Sequence, residues 1–119
     1  MANEISLTGT LAISPSGKRS RSISLNTLIT MSGSNYIERS QSIGTTAEAL
    51  DLGEIGTPGL IYIKNLDATN YVTIQDGANG TPVTKVLPGD ESVFMLATTA
   101  PYAKANSAAC VIEYTIAEA

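Results

Sequence analysis

A chain of 119 residues fits one domain and can bury one core without disulfides or metals. It has no His, no Trp and a single Cys, which removes the common nucleophile–base pairs, the zinc ligand sets and any internal disulfide. Charged residues make up only 15 %, against roughly 25 % in ordinary soluble domains, and a net charge of −4 argues against a general attraction to nucleic-acid phosphates.

The first predicted element is a strand. Ile5, Leu7, Leu11 and Ile13 fall on one face, with Ser6, Thr8, Thr10 and Ala12 on the other, the period of two that marks a half-buried strand. Ser14-Pro15-Ser16-Gly17 interrupts it, since Pro lacks a ladder donor and Gly relieves the turn. The alternation resumes with Ile23, Leu25, Ile29 and Met31, so the two runs predict a hairpin with one apolar face. Lys18, Arg19 and Arg21 cluster at its turn. Such a cluster reads either as a solvated turn or as a contact for an acidic partner surface. Residues 1–41, richer in Ser and Thr, are expected to be an assembly arm packing on a neighbour or outer strands of the same sandwich; 42–119 are expected to be the β-sandwich core.

Further along, Tyr36–Arg39 predicts a short strand, Ser40–Thr46 is polar and ambiguous, and Thr46–Leu50 reads either as one helical turn or, by the shared parity of Leu50 and Leu52, as a short strand, which is the favoured reading. Leu60–Ile63 and Ser92–Leu96 are read as strands apolar on both faces. Between them, Tyr71–Gln75 and Val83–Leu87 predict strands. Asp76-Gly77 and Asn79-Gly80 mark tight turns, and Pro88-Gly89 has the composition of a type II turn centre. Tyr102–Lys104 is a short strand, and the last strand puts Cys110, Ile112, Tyr114 and Ile116 on one face. Eight to ten short strands at this spacing predict an all-β, antiparallel sandwich or closed barrel.

The chemistry on offer is sparse. A Ser or Thr hydroxyl without an adjacent base is a weak nucleophile, and no spacing singles out a Ser–Lys pair. Calcium needs several oxygens on one loop; Asp67–Asn70 and Asp76–Asn79 are the only loops to consider, and Asp and Asn there read first as turn formers. Asp90 and Glu91 are strand neighbours and point to opposite faces. The Gly-rich turns match no phosphate-binding pattern. No catalytic residue, cofactor or metal is therefore expected. Cys110, among Ala108, Ala109, Val111 and Ile112, reads as a small buried hydrophobe, compatible with a reducing cytosol. Met1-Ala2-Asn3-Glu4 lacks the basic start of a signal peptide, and no run approaches the 18 or so apolar residues of a membrane helix. Neither nucleic acid nor membrane is an expected partner. The five Tyr fall on or beside strands, where they pack in the core or at interfaces or stack on sugars.

The C-terminal two-thirds resembles a family of small virion structural proteins of tailed bacteriophages. The residues that carry the likeness are Ser42–Thr46, Ala49–Gly53, Ile55–Gly59, Ile63–Val72, Leu87–Glu91, Ala100–Ala105 and Ile112–Tyr114, in that order. Residues 1–41 do not share it. The resemblance implies a β-sandwich virion component without enzymatic activity, in the head, a fibre or the tail. Taken with the residues, it leads us to expect a jelly-roll-like head decoration or cement protein, made in the host cytoplasm and located in the virion. Its expected partners are the major capsid protein or other virion proteins and copies of itself, with a trimer favoured. Lys18, Arg19, Arg21, Tyr36, Tyr71 and Tyr102 are the candidate interface residues. The rival expectation is a carbohydrate- or host-surface-binding module using Tyr36, Tyr71 and Tyr102, and a tail or adaptor component shares the fold argument.

Overall fold

The computed structural model describes residues 3–119, which form ten β-strands and no helix. All strand pairing is antiparallel. The chain divides into two compact units, the first ending at Ser32 and the second running Gly33–Ala119.

The first unit is a hairpin of β1 (Ile5–Ile13) and β2 (Arg21–Ile29). Its register pairs Ile5 with Ile29, Gly9 with Leu25 and Leu11 with Ile23, so the odd-numbered residues of both strands share one face. That face carries the apolar side chains, as the alternation predicts, yet Leu11 and Ile13 are each 48 % exposed and Leu25 44 %. At the turn, Lys18 N–H donates to the Pro15 carbonyl at 3.4 Å and Gly17 takes a positive φ of 69°, a conformation cheap only for Gly.

The second unit holds two four-stranded sheets. One runs in the order β3 (Tyr36–Ile43), β10 (Cys110–Glu118), β5 (Pro58–Asn65), β8 (Glu91–Met95). The other runs β4 (Glu48–Ala49), β9 (Tyr102–Ala105), β6 (Val72–Gln75), β7 (Pro82–Val86). Both contribute to a single core. Ile43, Ile61, Ile63, Ile112, Tyr114 and Ile116 come from the first sheet; Val72, Ile74, Val86, Ala103 and Ala105 come from the second. Each fully buried Ile contributes roughly 1.5–3 kcal/mol through apolar burial. Cys110 lies buried and unpaired in this core, and burial pushes its thiol pKa up.

Several expectations need correction. The boundary between units falls at Ser32/Gly33 and not after residue 41. Residues 36–43 belong with the second unit because they pair with β10 along their length and turn Ile43 into the core. The strand read at Leu50–Leu52 is the two-residue β4 just before it. Leu60–Ile63 is not apolar on two buried faces: Ile61 and Ile63 are buried while Leu60 and Tyr62 are half-buried on the outer side. Ser92–Leu96 is an edge strand whose Val93 and Met95 are exposed. Pro88-Gly89 does form a turn with Gly89 at φ 75°, closed by Asp90 N–H to Leu87 carbonyl at 3.0 Å. Gly77 and Gly80 also sit in a turn, without positive φ.

Two polar clusters fix the second unit. Asn65 is fully buried at the end of β5; its amide donates to the Asn70 carbonyl at 2.8 Å and the Val86 carbonyl at 3.2 Å, and its Oδ1 accepts from Asp67 N–H at 2.9 Å. This side chain ties one sheet to the end of β7 in the other. Near β4, the Tyr114 hydroxyl lies 2.7 Å from the Asp51 carbonyl, and Gln41 accepts from Asp51 N–H and donates to the Ala49 carbonyl. Burial pushes the Tyr114 pKa up to about 12.

Candidate interaction surface

Among the described residues, no group of three or more Cys, Asp or Glu side chains is placed to hold a metal ion. The two loops weighed for calcium are occupied by turn chemistry. Asp67 Oδ2 accepts from Asn70 N–H at 2.6 Å and Thr69 N–H at 2.9 Å, and these bonds hold its carboxyl below the usual carboxylate range. In the second loop a Cβ on Gly80 would collide with the Asp76 carboxylate, so the loop closes tightly around that side chain. No helix among the described residues is long and apolar enough to cross a membrane.

The expected interface residues lie on three separate surfaces. Lys18, Arg19 and Arg21 are exposed at the hairpin tip, with no ion pair to them among the described residues. Tyr36, 64 % exposed, begins β3 on the outer face of the β3-β10-β5-β8 sheet. Tyr71 and Tyr102 lie on the outer face of the other sheet, because their neighbours Val72 and Ala103 point into the core. Lys85 Nζ sits 4.4 Å from the Tyr71 ring centroid, a cation–π contact that occupies one ring face. An open depression of about 470 Å³ beside it is lined by Tyr71, Thr73, Lys104 and Asn106. The three tyrosines therefore do not converge on one site.

The sequence reading missed the outer face of the β3-β10-β5-β8 sheet. The register brings Tyr36, Ala117, Leu60 and Met95 into one row across it, then Glu38, Thr115, Tyr62 and Val93, then Ser40, Glu113, Lys64 and Glu91. One end is apolar, with Met95 49 % and Val93 36 % exposed. The next stretch sets Glu38, Glu113 and Glu91 around Lys64, and Glu38, Arg39, Tyr62 and Glu113 line a shallow depression of about 390 Å³. The Tyr62 hydroxyl donates to Glu91 Oε2 at 2.7 Å, and this bond to a carboxylate raises the Tyr62 pKa. The alternation of Val111, Glu113 and Thr115 in β10 was a usable signal. Reading β8 as buried on both sides hid the rest.

No protein-family model, curated protein or solved structure matches the chain.

Proposed function

We propose that this chain is a non-enzymatic structural protein of a bacteriophage virion, acting as a decoration or cement subunit on the head shell. The observation that carries the reading is the β1–β2 hairpin, whose apolar face is left at the surface. A two-stranded hairpin is marginal in water by itself and gains stability when its apolar face is covered. Large exposed apolar faces mark interaction sites. The paucity of catalytic side chains, the low charge and the likeness of residues 42–116 to virion proteins support the same reading.

The finer fold assignment that goes with it is a jelly roll. With the eight strands β3 to β10 numbered one to eight, the sheets run 1-8-3-6 and 2-7-4-5. That order is the one expected of two interlocked Greek keys, an architecture used by viral capsid and lectin domains. Because a fold hosts many functions, the test is direct. Head shells assembled from the coat protein of the same genome are pelleted with purified chain. Saturable binding at a fixed number of copies per shell is expected, and deleting residues 1–22 is expected to weaken it while the second unit stays folded. Absence of co-sedimentation at micromolar concentration overturns the head assignment and turns the search to tail or adaptor partners.

A second reading, a carbohydrate-binding module, is favoured by the depression beside Tyr71, where a partly exposed ring lies next to Lys104 and Asn106. A glycan array with the intact chain and Tyr71→Ala tests it; no signal at high concentration removes it.

A further inference from the structure

Two surfaces of this chain, one on each unit, complement each other. The odd-numbered face of the hairpin presents Leu7, Leu11, Ile13, Ile23 and Leu25, with Gly9 leaving open space opposite Leu25. Its tip carries Lys18, Arg19 and Arg21. The outer face of the β3-β10-β5-β8 sheet presents Tyr36, Leu60 and Met95 in one row, Glu38 with Tyr62 and Val93 in the next, and Glu113, Lys64 and Glu91 beyond them, three carboxylates against one ammonium.

Charge divides the same way. Residues 1–32 carry Lys18, Arg19 and Arg21 against Glu4, a net of +2 by side chains. Residues 33–119 carry Arg39, Lys64, Lys85 and Lys104 against ten carboxylates, a net of −6. The lengths also match: β1, β2 and β10 have nine residues each, which at about 3.3 Å per residue is about 30 Å of strand.

We propose that the occupant of the outer sheet face is the hairpin of a second copy of this chain. Arg21 of one copy lies over the depression between Glu38 and Glu113 of the next, while Leu11, Ile23 and Leu25 cover Tyr62, Val93 and Met95. The contact buries an apolar strip with a basic end against an apolar strip with an acidic end, so the charges fix the direction in which the hairpin lies. Each copy offers one hairpin and one sheet face, which makes the contact head-to-tail. Contacts of this kind close into rings when the rotation permits and otherwise run on as filaments. Two copies suffice to cover every hairpin and every sheet face by reciprocal exchange, and larger closed rings cover them equally. This inference rests on reading the hairpin as a contact element and is independent of the virion assignment.

Solution mass by size-exclusion chromatography with light scattering tests it on the full chain, alone and in four variants. Wild type is expected at a multiple of 12.4 kDa, from two copies upward. Arg21→Glu and Glu113→Arg each replace an attraction by a like-charge encounter and are expected to weaken association roughly tenfold or more. The double variant, with the charges exchanged, is expected to restore it. Leu25→Asp, on the exposed hairpin face, is expected to give monomer with unchanged circular dichroism. A monomeric wild type at all concentrations overturns the proposal. So does an oligomer indifferent to both single variants, or single-variant losses that the exchange fails to repair. Binding to shells is read separately. A monomer that still coats shells refutes this contact and leaves the structural role standing, whereas an oligomer that ignores shells does the reverse.

Discussion

Removing the Asn65 side chain is expected to loosen the second unit more than any other single polar change. The Asn65→Ala variant loses two donated hydrogen bonds and one accepted one, all at 2.8–3.2 Å around a residue with no solvent exposure. At about 1 kcal/mol net per bond the loss is about 3 kcal/mol. The buried Val86 carbonyl left without its donor adds to this, since an unsatisfied buried acceptor costs about 1–3 kcal/mol. A unit of this size has a total stability of about 4–13 kcal/mol, so the variant forfeits a large share of it. At roughly 4–8 °C per kcal/mol, the melting temperature falls by about 12–24 °C. Urea titration followed by circular dichroism or tyrosine fluorescence gives the measurement, with the slope of the transition unchanged. Asn79→Ala, in an exposed loop, serves as the comparison and is expected to change stability by less than about 0.5 kcal/mol. A loss below about 1 kcal/mol for Asn65→Ala would refute the view that this side chain ties the two sheets together.

Four further outcomes follow from the same structure. Tyr114→Phe removes the bond to the Asp51 carbonyl and should cost about 0.5–1.5 kcal/mol in the same urea assay. Because the Tyr114 pKa is raised to about 12 in the folded state, its protonated form is the one folding favours. That contribution is complete below the unfolded pKa of about 10 and is lost as pH rises through the folded value; alkaline titration should show the loss in wild type and less of it in Tyr114→Phe. On the acid side, Gly56 and Asn35 N–H groups hold the Glu118 carboxyl low, and Asn70 and Thr69 N–H groups do the same for Asp67. Their contribution is present above the unfolded carboxylate range and disappears as pH falls through the depressed values, so Glu118→Gln combined with Asp67→Asn should flatten the acid arm of stability. Gly59→Ala should destabilise by about 1–3 kcal/mol, since a Cβ there would run into the backbone of Ala119. The Cys110 thiol, buried in the core, should resist an aromatic disulfide reagent in the native protein and react promptly in denaturant.

The parts of the fold that alternate in sequence were readable in it. Cys110, Ile112, Tyr114 and Ile116 are all buried on one face of β10, and the hairpin of β1 and β2 has the parity its Ile and Leu spacing requires. The difficult parts are those where pairing overrides composition. Ser40, Gln41 and Ser42 have no apolar signature, yet they are strand because β10 pairs with them. Val93, Phe94 and Met95 look like a buried run, and only the sheet decides that Val93 and Met95 fall on its outer face and meet solvent while Phe94 packs on the core. The same limit applies to the surface. The basic tip at Lys18, Arg19 and Arg21 is visible as a cluster along the chain. The acidic stretch made by Glu38, Glu113 and Glu91 comes from three strands far apart in sequence and emerges only in register. The tyrosines show the opposite failure: Tyr36, Tyr71 and Tyr102 look like one set in the sequence and stand on different sheets.

The position of β10 has a consequence for how the chain comes off the ribosome. It is the last strand in sequence and an interior one in its sheet, flanked by β3 and β5. Until its residues emerge, β3 and β5 have no common neighbour and the sheet cannot close. The hairpin, built from local pairing, is complete long before that. Synthesis therefore permits the local β1–β2 pairing early and the β3-β10-β5 pairing only after β10 has emerged. Pairings so distant in sequence also predict folding in the slow, millisecond-to-second range of all-β domains.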